Sequence, residues 1–465
     1  MRSQFLTALS AAVLTTQACA AQSDAPIEIF GPEGVIEAAQ GIWRSEASGW
    51  ILEVGETRIR RWQDTPTACY LTPTDGPTLM GQIEYRYFTE NTARQDAYFS
   101  YLPGDAYNRF VRLEALPEHC SADADTSPSA VFETFAAIFA RHYAHFERRG
   151  VDWVEIVDTT RPLVRDDMSA ADLFDLLASM IEPLGDSHTK LIATIEGDRR
   201  RAQYGLGTTL PHIDATLGET PWLIGLIEQL FQEVLDEGAQ HIANDRVITG
   251  TIDNRVGYMQ FFTMGGFTSE HTAGTPEWAE AELSALEVIL DDQLTAFAGM
   301  EAVILDLSNN RGGYDAICRD IAARFSDETT IGYQVDVALD GQTRPAKTQL
   351  IHPHDGPRFS GPVYVLTSDV TVSCGEITTL MLRQHPHVVQ VGAHTRGAFS
   401  TPLAKPLPNG WYLELSNEVY RSHGGETYEA RGLTPDIQIH PFPEEAPIEG
   451  HARAIEAILA DLDER

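Results

Sequence analysis

Three short segments carry residues able to do chemistry. Ser373 lies in Val363-Tyr-Val-Leu-Thr-Ser-Asp-Val-Thr-Val-Ser-Cys-Gly-Glu376, an apolar, β-rich run that turns small and polar just before a helical pattern begins. Such a junction presents a hydroxyl beside the free backbone N–H groups of a helix start. A second apolar run ends in Asp306-Leu-Ser-Asn-Asn-Arg-Gly-Gly313. Further upstream stands Gly185-Asp-Ser-His-Thr189. Serine is a weak nucleophile and needs a base, a group that orients the base, and donors for the developing oxyanion. The three segments together supply those types and point to serine-hydrolase chemistry. An α/β-hydrolase elbow would read Gly-x-Ser-x-Gly. Here the serine sits in Thr371-Val-Ser373-Cys-Gly-Glu376, so that fold loses its best marker.

The elements that must position these residues are legible in outline. Between about 36 and 120, runs such as Trp50-Ile-Leu-Glu-Val54 tend to alternate and are separated by Gly, Pro, Asn and Asp, which predicts a small β-barrel or sandwich. Residues 121–129 read as a polar linker. Phe132, Phe135, Ile138, Phe139, Tyr143 and Phe146 recur at helical spacing, and 169–184 is a second amphipathic helix. A further helix is expected after Thr220-Pro221, closed by Gly238. From Arg246 onward strands alternate with helices, which implies a largely parallel sheet. Its expected parts are a strand at 256–262, a helix from 276, strand 302–307, helix 315–326, strand 362–367, helix 375–384 and strand 388–391, with an amphipathic helix at 451–462. The expected division is a signal peptide at 1–20, a β domain at 21–120, a helical domain at 129–245 carrying Ser187-His188, and an α/β core at 246–465.

These motifs resemble a serine peptidase family that includes the C-terminal processing (tail-specific) proteases, the tricorn protease core and the interphotoreceptor retinoid-binding protein. The family's Leu-Thr-Ser-x-x-Thr-x-Ser-x-x-Glu matches Leu366 to Glu376. Its Asp-Leu-Arg-x-Asn-x-Gly-Gly matches Asp306 to Gly313, with Ser308 in place of the arginine. Its closing Glu-x-x-Gly-Val-x-Pro-Asp is similar to Glu429 to Asp436. The resemblance implies a crotonase-like/ClpP-like α/β core. It implies Ser373 as nucleophile, with oxyanion donors from the backbone N–H of Cys374 and of Gly312 or Gly313. Processing proteases place a lysine base in a glycine-rich turn that here reads Gly392 to Ser400, with Ala398 at the lysine position. The chain has only three lysines, Lys190, Lys347 (in a polar loop) and Lys405. Tricorn-like members use a histidine preceded by serine and a distal glutamate, which implies His188 as base, with Ser187 and Glu429 supporting it. His394 is the alternative base. The stretch from His188 to Arg246 is short for a PDZ module and has no Gly-Leu-Gly-Phe-like loop, so the tricorn-like or retinoid-binding-protein-like branch is favoured.

Bulk properties frame the partners. With 68 acidic and 33 basic residues the net charge is −35, which argues against nucleic acid and anionic membranes. Met1 to Ala21 reads as a secretory signal ending in Ala18-Cys19-Ala20, giving a periplasmic or secreted protein; lipidation at Cys19 is the alternative. No other stretch is long and apolar enough to span a bilayer. Cys69 and Cys120 are candidates for a disulfide in such a compartment. No cofactor or metal motif is found. The expected substrate is a peptide or an unfolded protein segment. A non-catalytic binder of apolar ligands or peptides on the same scaffold, and an esterase, stay open as alternatives.

Overall fold

A computed structural model describes residues 26–31, 34–72, 85–91, 96–101 and 109–465. The signal segment 1–20 lies outside the described residues. Nine N-terminal strands among these residues form one sheet, from Ile27–Glu28 to Cys120–Ser121, and Phe30–Gly31 pairs with Gly34–Val35 apart from it. Among the described residues the strand order of the nine-stranded sheet is linear, with two ends that do not pair with each other, where a barrel or sandwich was expected. One face buries Trp43, Leu52, Phe88, Phe99 and Phe110. Their rings meet edge to face, with Phe99 and Phe110 centroids 5.1 Å apart, the arrangement that the aromatic quadrupole favours. Cys69 and Cys120 are paired across parallel strands and joined by a disulfide that closes a 51-residue separation. Replacing both cysteines by serine is expected to lower unfolding free energy by about 2–4 kcal/mol. Denaturant titration without reductant checks this, and an unchanged midpoint would refute it.

The helix Pro128–His142 starts where Ser127 accepts the Ala130 N–H and proline occupies the first turn. The helix Ala170–Ile181 is capped likewise by Ser169. Both bury their apolar faces in a core shared with Leu191, Leu413 and Leu415. Those three residues belong to a four-stranded sheet in which Lys190–Ile195 pairs with Tyr412–Ser416. The chain around His188 is thereby tied to the α/β core, so the expected boundary at 245 is crossed by a sheet.

The central sheet has seven strands among the described residues. Val256–Phe261, Ala302–Asp306, Val363–Thr367, Val388–Gly392 and Ile437–Gln438 run parallel, and Gln240–Ile242 and Val247–Ile252 add an antiparallel edge. The register sets Asp306 opposite Leu366 and Thr367 opposite Gly392. Three loops therefore leave the sheet at one level: the glycine-rich loop after Asp306, the serine loop after Thr367 and the turn after Gly392. In open parallel sheets, this carboxyl edge is where sites form. Lys347, expected in a loop, instead lies on the strand Gln342–Ile351, paired with Thr330–Leu339. That strand is mostly exposed, so it lacks the apolar alternation that marks a half-buried strand. The helix Glu219–Gln229 packs through Trp222 and Leu226 against Val370 and Phe442, which supports the serine loop from outside.

Candidate active site

Ser373 sits at φ 57°, ψ −122°, a conformation rarely adopted by an L-residue. It immediately precedes the helix Cys374–Leu382. Strain of this kind costs about 1–3 kcal/mol and persists only where the surroundings over-determine it. Here they do. The Ser373 N–H donates to Ala398 O at 3.0 Å and faces Glu376 Oε2 at 3.3 Å. The Ser368 hydroxyl donates to Ser308 O at 2.6 Å and the Thr371 hydroxyl to Leu307 O at 2.7 Å. The small hydroxyl residues of the serine motif thus stitch its loop to the glycine-rich loop after Asp306.

That glycine-rich loop is held by Asn310. Its Nδ2 donates to Phe261 O at 2.8 Å, and its Oδ1 accepts the Gly312 N–H at 2.9 Å. The Gly312 N–H is therefore already engaged. A Cβ on Gly312 would lie 2.7 Å from Ser373 Cβ, so glycine is needed for the loop to approach the serine. Met264 brackets Gly313 by accepting from the Tyr314 N–H and donating to Gly312 O, each at 2.8 Å. Cys374 begins the helix, so its N–H has no intrahelical acceptor. The Cys374 thiol is fully buried, and burial pushes its pKa well up, which keeps it from acting as a thiolate nucleophile.

His188 is buried, and its ring packs against the Ser400 backbone. Ala398 and Ser400 belong to one turn, so that turn holds Ser373 at one end and the His188 imidazole at the other. Burial lowers the His188 pKa, with Asp186 acting in the opposite direction. Its Nδ1 has no hydrogen-bond partner among the described residues, and neither does Ser187 Oγ. Glu429 does not bond Ser187. Its Oε2 accepts the N–H groups of Phe399, at 2.9 Å, and Ser400, at 3.2 Å. Burial and the neighbouring Asp186 raise the Glu429 pKa to about 8. The expected glutamate thus reaches the base's neighbourhood through the Phe399–Ser400 backbone. His394 is exposed and faces Thr434, away from the Ser373 turn.

Three supporting groups were not singled out by the sequence reading. Glu376 accepts from Thr395 Oγ1 at 2.5 Å and from the N–H groups of Gly397 at 2.7 Å and Ala398 at 2.8 Å, locking the turn onto the nucleophile helix. Burial raises its pKa to about 7 despite these donors. Asp186 accepts the His188 N–H at 2.9 Å and the Tyr143 hydroxyl at 3.0 Å. Burial acts to raise the Asp186 pKa, but Arg149 and His188 hold it below its ordinary value. Arg149 lies 3.3 Å from Glu429 Oε1 and 3.7 Å from Asp186 Oδ1, and donates to Gly185 O at 2.7 Å and Gly397 O at 3.4 Å. Glu376 and Asp186 lie inside the motifs and could have been read there. Arg149 carries no local signal.

Arg149→Leu would leave two buried carboxyls without their shared cation. Breaking a buried ion pair costs about 3–5 kcal/mol. With Arg149 present the Glu429 pKa is about 8, so at pH 6 the carboxyl is neutral in wild type and variant alike, whereas at pH 8 the wild type begins to ionise it beside a cation that the variant lacks. The destabilisation is therefore expected to be larger at pH 8 than at pH 6, as read by denaturant midpoints at the two pH values; equal losses would contradict it.

Residues 255–439 match the family model for peptidase family S41, and residues 125–182 match that of the tricorn protease C1 domain. Residues 255–439 are thus similar to an S41 serine peptidase core. Solved structures agree on the fold. A protein of Parabacteroides merdae ATCC 43184, provisionally described as a peptidase, is 23% identical with a TM-score of 0.57, over 73% of this chain and 97% of that one. Mature CPAF, solved with lactacystin, is 12% identical with a TM-score of 0.51, over 72% of this chain and 98% of its own. No curated protein matches. No helix of the peptidase among its described residues is long and apolar enough to cross a membrane.

Proposed function

We propose that this peptidase is exported and cuts peptides or unfolded protein segments through an acyl-enzyme on Ser373, with His188 as general base. The observation that carries the reading is the shared turn: Ala398 O holds the Ser373 N–H, and two residues on the Ser400 backbone abuts the His188 ring. In this mechanism the Ser373 hydroxyl oxygen attacks the scissile carbonyl carbon while His188 takes the hydroxyl proton. The oxyanion is received by the N–H groups of Cys374 and Gly313, since Asn310 occupies that of Gly312. Collapse breaks the C–N bond, and the imidazolium gives its proton to the leaving amine. Water, deprotonated by the same imidazole, then attacks the acyl carbon, the C–O bond to Ser373 breaks, and the imidazolium returns its proton to the serine oxygen.

A lysine base has little support. Lys405 is buried, bonded to Ser48 O and stacked 3.9 Å from the Trp50 ring centroid, in contact with the N-terminal sheet. Lys190 pairs with Glu414. Export is supported by the N-terminal segment and by the Cys69–Cys120 disulfide, a bond suited to oxidising compartments. Fluorophosphonate labelling followed by matched peptide and ester substrates tests the activity. Turnover of esters without any peptide cleavage would overturn the peptidase reading.

A further inference from the structure

Behind the nucleophile, two helices bring together a set of donors that the catalytic reading does not use. Cys318 lies on the helix Asp315–Ala323 and Cys374 begins the nucleophile helix; both are fully buried and unbridged. The two Sγ atoms and an Asp315 carboxylate oxygen all lie within 4.8 Å of one another. Cys374 Sγ is 3.5 Å from Asp315 Oδ1. The other three-donor group among the described residues, Cys69, His119 and Cys120, has its sulfurs consumed in the disulfide.

We propose that Asp315, Cys318 and Cys374 bind a thiophilic divalent d¹⁰ cation, of the zinc or cadmium type, which ties together the two segments that supply the oxyanion donors. Zinc takes thiolate sulfur at about 2.3 Å and carboxylate oxygen at about 2.0–2.2 Å in a tetrahedron, which sets the sulfur-to-oxygen edge at about 3.5 Å. The Cys374–Asp315 separation already matches that edge. Asp315 and Cys318 are three residues apart on one helix and so share a face. The cation replaces both thiol protons, so two protons are released and three anionic ligands surround a double positive charge. Arg319, which stands with Asp315 and Cys318 around Tyr333, offsets the remaining negative charge. Solvent would complete the tetrahedron. Asp315 is two residues from Gly313, and Cys374 directly follows Ser373, so the cation would brace both oxyanion donors at once.

The test is a binding measurement, independent of peptidase activity. The full chain, with Cys69–Cys120 kept oxidised, is titrated with cadmium while the thiolate-to-metal charge-transfer absorbance is followed. Saturation at one cadmium per chain, with release of two protons, is expected. Cys318→Ser and Asp315→Asn should each weaken binding by at least the roughly 10–100-fold that loss of an outer-shell partner costs. Absence of the band in the folded wild-type chain overturns the proposal. So does wild-type affinity in Cys318→Ser or, should that variant not fold, in Asp315→Asn.

Discussion

Ser373→Ala is expected to abolish peptide hydrolysis and covalent fluorophosphonate labelling while leaving the fold intact. Loss of a serine nucleophile from such machinery costs about 10⁶-fold in kcat. The backbone that strains Ser373 is fixed by groups other than its hydroxyl, namely Ala398 O and Glu376. Alanine should therefore keep the same positive φ and nearly the same stability. Ser373→Gly gives a sharper readout, because glycine accepts φ 57° without a Cβ penalty. It should be equally inactive and at least as stable as Ser373→Ala. Labelling that survives in either variant, or glycine proving the less stable, would show that the strained turn does not serve to present a nucleophile.

His188→Ala should lower kcat by about 10²–10⁴-fold, the usual contribution of a positioned general base. The pH profile adds a test that a packing role would not pass. The base works as neutral imidazole, so activity falls as pH drops through the His188 pKa. Burial places that pKa below the ordinary histidine value, near 6.5. The acidic limb of kcat/KM should accordingly lie below pH 6.5. In His188→Ala the residual activity should lose that limb. Near-wild-type activity in His188→Ala, together with a dead Lys405→Ala, would establish a lysine mechanism instead. Lys405 contacts the N-terminal sheet through Ser48 and Trp50, so the expected result for Lys405→Ala is a stability loss with an unchanged pH limb.

The sequence by itself marked the local parts of this candidate site. Ser373 is marked by its strand-to-helix junction, and Asn310, Gly312, Gly313 and the Ser187-His188 pair by short motifs that the family resemblance matches, because turn chemistry and the alternation of buried strands and helices are short-range properties. The same periodicity located the parallel strands at Ala302–Asp306, Val363–Thr367 and Val388–Gly392. It missed the hairpin of Thr330–Leu339 and Gln342–Ile351, whose second strand has no buried face to leave a pattern. Only the tertiary structure decided which of two adjacent glycine N–H groups is engaged, since that depends on where the Asn310 side chain turns. It also decided that Glu429 acts on the Phe399–Ser400 backbone rather than on Ser187. Arg149 lies far in sequence from Glu429 and outside every motif, and its role arises from the burial of two carboxyls that need one cation. Cys318 and Cys374 meet because two helices pack on the same sheet. A charge or thiol partner set by such packing has no periodicity to betray it, so it becomes visible only once the chain is folded.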